Sequence, residues 1–212
     1  MEQNVNQYIQ QLLPQNHQLT EQLIDEAIKA EIPIMEETAL HLLMTIINIQ
    51  QPKKILEIGT GIGYSAIRMA DACPYSKIVT LENDHKRYNK AVKIIEKYKK
   101  SKQIKVINED ALQYLTTTQG DMYDFIFIDA AKSKYKQFFK QAERHLNDEG
   151  IIVTDNVLFR HYVVNSKNIP HRYEKIVKNI QAYNDWLAKH PNFMTTFIPI
   201  GDGIAISIKI AK

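Results

Sequence analysis

Cysteine is almost missing from this chain of 212 residues, in which Cys73 is the single example. This scarcity excludes an internal disulfide framework and any cysteine-rich zinc site. Long apolar runs are missing too, since none approaches the roughly 18 residues that a membrane-spanning helix needs. The polar start, residues 1–7, is unlike the charged and then apolar pattern of a signal peptide. We therefore expect a cytoplasmic protein without a membrane partner.

An extreme composition is also absent, which argues against disorder. Hydrophobic residues make up 44% and charged residues 24% of the sequence, and such values are ordinary for a globular protein. Because 212 residues are enough for one domain with a sizeable core, we predict a single domain over residues 1–212. It divides into an N-terminal helical cap, residues 1–50, and a core with a β-sheet, residues 51–212.

The net charge of +3 is small, but the charge is distributed unevenly. Between residues 85 and 105 nine basic residues stand against a single acid, Glu96. The nine are Lys86, Arg87, Lys90, Lys93, Lys97, Lys99, Lys100, Lys102 and Lys105. Two hypotheses stay open for this run, a solvated helix face and a surface that binds a phosphate backbone.

Hydrophobic periodicity predicts helices in the first fifty residues and alternating strands and helices after them. The three predicted helices cover Asn6–Leu13, Thr20–Ala30 and Glu36–Ile49. The five β-rich runs are Ile55–Ile58, Ile78–Leu81, Ile104–Ile107, Phe125–Ile128 and Ile151–Thr154. Strands that alternate with helices are typical of a parallel sheet covered by helices.

The end of the sequence predicts an antiparallel pair. Thr195–Ile200 and Ile204–Ile210 flank Gly201-Asp202-Gly203, and glycines at such a turn can take positive φ. The predicted fold is therefore Rossmann-like α/β, with a mostly parallel seven-stranded sheet, a C-terminal antiparallel hairpin and N-terminal helices.

A glycine-rich turn follows the first predicted strand. Gly59, Gly61 and Gly63 let a ligand approach the backbone closely at the carboxyl end of the sheet. The spacing differs from the GxGxxG of a dinucleotide-binding loop. Glu57, near the end of the strand, would repel a pyrophosphate, whereas it suits the cationic amino acid portion of S-adenosylmethionine.

Acidic residues close the next two strands. Glu82 ends the second strand, where an acid can bind ribose hydroxyls, and Asp110 with Ala111 follows the third strand, where the adenine would lie. The alternative for either acid is that it caps the following helix.

Oxygen-bearing side chains also follow the fourth and fifth strands, which are neighbours in a doubly wound sheet. Asp129 follows the fourth strand, and Asp155 and Asn156 follow the fifth. Two carboxylates and an amide oxygen would form a site for Mg²⁺ or Mn²⁺, and the lack of histidine disfavours zinc. Lys132 stands three residues after Asp129, either as a catalytic group or as a surface lysine.

With these motifs in place, the chain resembles the metal-dependent, catechol-type class I O-methyltransferases, which include the caffeoyl-coenzyme A enzymes. The matching segments are Pro33–Glu36, Glu57–Ser65, Asp129–Lys132, Asp155–Asn156 and Gly201–Gly203. The resemblance implies that Asp129, Asp155 and Asn156 bind the metal and that Lys132 acts at the substrate oxygen, with Asp129 as the second catalytic residue. It also implies a pocket for S-adenosylmethionine formed by Met35, Glu36, Glu57, Gly59, Ser65, Glu82, Ala111 and Asp129, to which the glycine-rich turn and the third strand add Gly61 and Asp110.

In this chemistry the substrate hydroxyl must lose its proton before it attacks the sulfonium methyl group. A bound cation lowers the pKa of an oxygen that it coordinates. Lys132 then takes the proton or stabilises the oxyanion. Most of the rate is expected from the alignment of the attacking oxygen with the methyl group.

A metal ion of this kind selects a substrate with two adjacent oxygens, such as a catechol or 5-hydroxyuridine. Pro33–Glu36, Asp155–Phe159 and Ile198–Gly203 resemble the bacterial branch that methylates 5-hydroxyuridine at the tRNA wobble position to 5-methoxyuridine. The loop beyond the metal site adds basic and aromatic residues that can contact the anticodon region: Phe159, Arg160, His161, Tyr162, Lys167, His171 and Arg172. The alternative is a small phenolic substrate under a lid formed by the same loop.

One departure from the pattern of this family bears on the choice of substrate. Small-molecule members often carry Phe-Asn and then Asp-x-Arg, where this chain has Tyr183-Asn184 and His190-Pro191-Asn192, which disfavours a catechol. A third hypothesis, a nicotinamide-dependent oxidoreductase or an inactive nucleotide-binding module, is disfavoured by Glu57 and by the complete metal set. The resemblance also implies a homodimer with the N-terminal helices near the interface.

Overall fold

One seven-stranded sheet organises the fold in the computed structural model, which describes residues 2–14, 18–29, 31–165 and 169–210. The strands are β1 (Lys54–Ile58), β2 (Lys77–Glu82), β3 (Ile104–Asn108), β4 (Tyr123–Ile128), β5 (Leu146–Thr154), β6 (Phe193–Ile198) and β7 (Ile204–Lys209). Their order is β3-β2-β1-β4-β5-β7-β6, in which β1 to β5 are parallel and β7 is antiparallel to β5 and β6. The predicted fold class is confirmed.

Helices cover both faces of the sheet. In the ranges that the structure describes they are α1 (Glu2–Leu12), α2 (Gln18–Lys29), α3 (Glu37–Gln50), α4 (Tyr64–Ala72), α5 (His85–Lys97), α6 (Ala111–Thr117), α7 (Tyr135–Ala142) and α8 (His171–Ala188). The three predicted N-terminal helices are present, with shifted ends. Ala30 and Lys167, which the sequence placed in a helix and in the basic loop, lie outside the described residues.

Alternate side chains of the central strands separate the core into two layers. Ile55 and Phe125 pack on the face that α2 to α5 cover, and Leu56 and Ile126 pack on the face that α6 to α8 cover. These four side chains are fully buried, as expected for strands with helices on both sides. The core therefore consists of two apolar layers, one between each face of the sheet and the helices that cover it.

Two strands have bounds that differ from the prediction: β5 starts earlier, and β6 covers Phe193–Ile198 and not Thr195–Ile200. β5 begins at Leu146 and not at Ile151. The apolar pattern missed its first residues because residues 147–149 are polar and mostly exposed. The C-terminal hairpin forms as predicted, and Gly201 and Gly203 take φ values of 57° and 85°.

The parallel strands place their carboxyl ends along one edge of the sheet, where β1 and β4 are neighbours and β4 and β5 are neighbours. The turns after β1, β2, β4 and β5 therefore meet there. None of the helices in the described part of the chain has both the length and the apolar character to span a bilayer.

Candidate functional site

The glycine-rich turn after β1 lies against the end of β4. Gly59 has a φ of 104°, and a Cβ atom built on it would lie 1.9 Å from the carbonyl oxygen of Asp129. Gly61 and Gly63 also have positive φ values, 57° and 85°. The turn therefore needs glycine at Gly59 both for its backbone conformation and for the close approach of the two strands.

A cavity of about 380 Å³ opens beside this turn at the carboxyl ends of β1, β2 and β4. Its wall contains nine of the predicted site residues, which are Met35, Gly59, Gly61, Ser65, Glu82, Asp110, Ala111, Asp129 and Lys132. Arg87, Lys134 and Phe138 line it as well; the sequence marked Arg87 only as a member of the basic run and did not mark the other two. Glu36, Glu57, Asp155 and Asn156 stand outside this wall.

Glu57 lies behind the cavity wall with no exposed surface. The Ser65 hydroxyl donates a hydrogen bond to Oε1, and the Thr80 hydroxyl donates one of 2.5 Å to Oε2. Burial raises the pKa of Glu57 to about 8, and the charges of Asp129 and Glu82 add to the increase. The carboxyl group therefore supports the wall through Ser65, which itself lines the cavity.

Glu82 and Glu36 hold backbone and side-chain groups around the cavity. Glu82 accepts hydrogen bonds from the backbone N–H of Gly61 at Oε2 and of Asp84 at Oε1, both at 3.0 Å. Glu36 is exposed just before α3, and its Oε1 accepts a hydrogen bond of 3.0 Å from the Thr38 hydroxyl. Glu82 thus links the end of β2 to the glycine-rich turn. Glu36 directly follows Met35, which lines the cavity.

Asp110 caps α6 and also lines the cavity, so both readings of this acid apply. Its Oδ1 accepts hydrogen bonds from the backbone N–H of Leu112 (2.9 Å) and Gln113 (3.2 Å). Burial raises the pKa of Asp110, but these hydrogen bonds and the charge of Lys134 outweigh it, and the pKa falls below its usual value. The carboxylate is therefore held in its charged form at the rim.

Asp129 and Asp155 leave adjacent strands in register. Ile128 pairs with Thr154, and the backbone N–H of Asp155 donates a 3.0 Å hydrogen bond to the Ile128 carbonyl. Asp155 is only 2% exposed. Burial and then the charge of Asp129 raise the pKa of Asp155, and burial raises the pKa of Asp129 against the opposing charge of Lys132. A buried carboxylate, Asp155, and a half-buried one, Asp129, therefore repel each other here, and a cation between them would relieve the repulsion.

Lys132 connects the cavity to the residue that follows Asp155. Its Nζ donates a hydrogen bond of 2.6 Å to Oδ1 of Asn156, whose backbone N–H donates one of 2.7 Å to Oδ1 of Asp155. Across the described ranges no group of three or more histidine, cysteine, aspartate or glutamate side chains could hold a metal ion. The predicted set of two carboxylates and one amide therefore stays a prediction.

The segment after Asn156 is held by the C-terminal hairpin turn. The Asp202 carbonyl accepts hydrogen bonds from the backbone N–H of Leu158 (2.8 Å) and Phe159 (3.1 Å), and its Oδ1 accepts one from Arg160 (3.1 Å). Phe159, Arg160 and His161 all have positive φ, at 37°, 53° and 59°, which non-glycine residues rarely adopt. The sequence indicated Asp202 only as a turn residue, because the segment that it holds lies 42 residues away.

Aromatic rings and basic side chains lie close together in the loop after Asn156 and at the start of α8. Nζ of Lys132 lies 5.8 Å from the ring centroid of Phe159, and the Phe159 and Tyr173 centroids are 5.4 Å apart. The guanidinium groups of Arg160 and Arg172 lie 5.6 Å and 4.7 Å from the Tyr173 centroid. One tyrosine ring therefore carries two exposed arginines at the side of the site that Lys132 faces.

Known proteins resemble this chain over nearly its whole length. Residues 10–210 match the sequence family described as O-methyltransferase. The chain is 31% identical to caffeoyl-CoA O-methyltransferase 1 of Arabidopsis thaliana, over 81% of this chain and 68% of that protein.

Solved structures agree in fold. A candidate caffeoyl-CoA O-methyltransferase of Staphylococcus aureus is 35% identical and has a TM-score of 0.90, covering 97% of this chain and 99% of that one. An O-methyltransferase of Bacillus cereus, in complex with S-adenosylhomocysteine, is 26% identical with a TM-score of 0.84, covering 98% and 97%. The matched residues 10–210 include every residue of the candidate site.

Proposed function

Because the chain belongs to the O-methyltransferase family, we propose that it transfers a methyl group from S-adenosylmethionine to a substrate hydroxyl held by a divalent metal ion. Family membership supplies the enzyme class, an S-adenosylmethionine-dependent O-methyltransferase of the caffeoyl-CoA type. The metal, the substrate and the residue roles are the proposal. The observation that carries it is that Asp129 belongs both to the cavity wall and to the pair of neighbouring carboxylates that it forms with the buried Asp155.

The cavity fits a methyl donor that carries positive charge. Gly59 and Gly61 leave the backbone open to a ligand, and the Glu82 carboxylate lies in the wall. The charges of Asp129 and Glu82 act as far as Glu57 behind the wall, so a sulfonium cation would be attracted to this end of the sheet. We assign these residues to the cofactor, with Glu57 acting from behind through Ser65.

Asp129, Asp155 and Asn156 would hold the metal ion. The donor chemistry fits, since two mutually repelling carboxylates stand beside an amide oxygen that already accepts a hydrogen bond from an ammonium group. All three side chains offer the oxygen ligands that Mg²⁺ and Mn²⁺ prefer. A metal ion bound there would lower the pKa of the hydroxyl that it coordinates.

Lys132 would act on the attacking oxygen. Its Nζ lies in the cavity wall and next to Asn156, between the proposed cofactor pocket and the proposed metal site. As a base it takes the hydroxyl proton at Nζ, and as an ammonium group it stabilises the oxyanion that is left. Either role requires Nζ within hydrogen-bonding reach of the substrate oxygen.

We propose 5-hydroxyuridine at the tRNA wobble position as the substrate, with 5-methoxyuridine as the product. Two adjacent oxygens of this base suit chelation by one metal ion. Arg160, Tyr173 and Arg172 support the proposal, because a tyrosine ring and two guanidinium groups beside Lys132 suit unstacked bases and phosphates of an anticodon loop. A homodimer and a cytoplasmic location stay predictions.

A small phenolic substrate is the second candidate. The relative from A. thaliana is named for caffeoyl-CoA, and a catechol offers the same pair of oxygens. The loop around Phe159 would then close over a small ring.

Methyl transfer from labelled S-adenosylmethionine tests the proposal. The acceptors are bulk tRNA from a strain that cannot make the methoxy form and, in parallel, a catechol, each with and without chelator. Asp155→Asn removes a proposed metal ligand, and Asp148→Asn on the same strand, whose side chain is 90% exposed, is the matched control.

Chelator-sensitive label at 5-hydroxyuridine, located by nucleoside mass spectrometry and lost in Asp155→Asn alone, is the expected result. Label in the catechol alone would establish the second candidate. Full transfer in the presence of chelator would refute the metal assignment.

A further inference from the structure

A strip of exposed basic residues runs along α5 and the edge of the sheet. We call it the basic edge and define it as Lys86, Arg87, Lys93, Lys99, Lys102 and Lys105, all of which are exposed. It starts at Arg87, which lines the cofactor cavity, and ends near the amino end of β3, the edge strand. Because α5 has 13 residues, the strip extends over about 20 Å.

Much of this charge lacks a direct ion-pair partner among the described residues, although the Asp84 carboxylate lies close enough to act on Lys86 and Arg87. Two lysines next to the basic edge do have partners, since Lys97 forms an ion pair with Glu26 and Lys100 forms one with Asp71. No carboxylate of the described residues forms an ion pair with the six residues of the basic edge. Repulsion among such charges is relieved by an extended anion and only in part by a small one.

An exposed aromatic residue stands at the far end of the strip. Tyr75 is 91% exposed and shares a shallow depression with Lys77, Lys99 and Lys102. An accessible ring among cations suits a nucleic acid, whose bases stack while its phosphates pair with lysine. An anionic membrane surface fits less well, because the apolar residues Ile94 and Ile95 of α5 are buried in the core and cannot insert into lipid.

We propose that the basic edge is an RNA-binding surface that holds the phosphate backbone of the substrate outside the active site. The inference rests on the proposed function, in which the substrate is a tRNA. The residues around Arg160 would contact the modified loop, and the basic edge would contact the stem that continues from it. Affinity and positioning of the polymer would therefore depend on residues that never touch the reacting base.

The test measures binding of bulk tRNA by fluorescence anisotropy over a series of salt concentrations, without methyl donor. The variant Lys93→Gln, Lys99→Gln, Lys102→Gln removes three charges from the basic edge. The matched control, Lys136→Gln, Lys140→Gln, Lys189→Gln, removes three exposed charges from α7 and the end of α8, on the other side of the sheet.

The basic-edge variant is expected to lower the slope of log affinity against log salt by about 2, since each lost phosphate contact removes about 0.7–0.9. The control should keep the slope of the unmodified protein. Tyr75→Ala should weaken binding on the order of fivefold or more with an unchanged slope, because stacking releases no counterions. Equal slopes in the two triple variants would overturn the proposal, as would binding to anionic phosphatidylserine vesicles that depends on the basic edge while tRNA binding does not.

Methyl transfer on the same variants separates this proposal from the proposed function. Transfer to tRNA with the same KM in both triple variants would reject the basic edge and leave the tRNA substrate in place. RNA binding that depends on the basic edge, together with no methyl transfer to tRNA by the unmodified protein, would reject the tRNA substrate and leave the basic edge in place.

Discussion

Replacement of Glu57 by glutamine is expected to stabilise the ligand-free protein at neutral pH. Glu57 is fully buried between Ser65 and Thr80, and burial raises its pKa to about 8 from the usual 4.5. An acid whose pKa is higher in the folded state binds more protons there than in the unfolded chain. Folding stability must therefore fall as pH rises from about 4.5 through 8.

The expected magnitude follows from these two pKa values. Linkage gives a loss of roughly 2–3 kcal/mol from this one carboxyl group between pH 5 and pH 7. For a chain of this size about 1 kcal/mol changes Tm by roughly 2–4 °C, so the loss corresponds to roughly 5–10 °C. Glutamine keeps the shape and the hydrogen-bonding capacity toward both hydroxyls, but it carries no charge.

The assay is unfolding of the ligand-free protein at pH 5, 6, 7 and 8, with Glu57→Gln and the unmodified protein measured together. The difference between the two curves isolates Glu57 from Asp155, whose raised pKa gives a slope of the same sign. Glu96→Gln, which changes an exposed acid of α5, serves as the control and should parallel the unmodified protein. A difference between Glu57→Gln and the unmodified protein that stays constant from pH 5 to pH 8 would refute the reasoning.

Three further predictions concern the metal set, the glycine-rich turn and the hairpin turn. Asp155→Ala should reduce transfer by at least about a hundredfold while S-adenosylhomocysteine affinity, measured by calorimetry, stays within about twofold; an equal loss of affinity in a folded variant would contradict the division of roles. Gly59→Ala should cost more than about 3 kcal/mol of unfolding free energy, because its Cβ would meet the Asp129 carbonyl at 1.9 Å, whereas Gly120→Ala, with nothing within 4 Å, should cost about 1 kcal/mol for its positive φ. Asp202→Ala should speed tryptic cleavage at Arg160 and raise the KM for substrate, and Asp202→Asn, which keeps the acceptor for the Arg160 N–H, should restore both; identical behaviour of the two variants would show that this hydrogen bond does not position the loop.

Local patterns in the sequence were sufficient for the architecture. The run Phe125–Ile128 is apolar at every position because helices cover both faces of a parallel strand, and Ile55–Ile58 is interrupted only by Glu57. Once the strands are located, doubly wound topology brings their carboxyl ends to one edge, and Asp129 and Asp155 follow two neighbouring strands there. The cavity-lining residues of the turns after the strands were predictable for the same reason, whereas Arg87, Lys134 and Phe138 were not.

The partner of each polar side chain could not be predicted in this way. Glu57 bonds to Thr80 at a separation of 23 residues, Lys132 to Asn156 at 24, and Asp202 to Arg160 at 42. Hydrophobic periodicity carries no information about such pairs, since it reports only which face of an element is buried. The sequence therefore placed several acids at the strand ends but left their bonding partners unknown.

The sequence by itself determined the order of strands and helices, the glycine-rich turn and the row of acids along one sheet edge. Only the tertiary structure decided that Glu57 faces inward behind the cavity, that Asp110 pairs with Lys134, and that Arg160 and Arg172 meet on Tyr173. The physical reason is that secondary structure follows from the burial pattern of neighbouring residues, whereas hydrogen bonds and ring contacts depend on the distances that packing creates between distant ones.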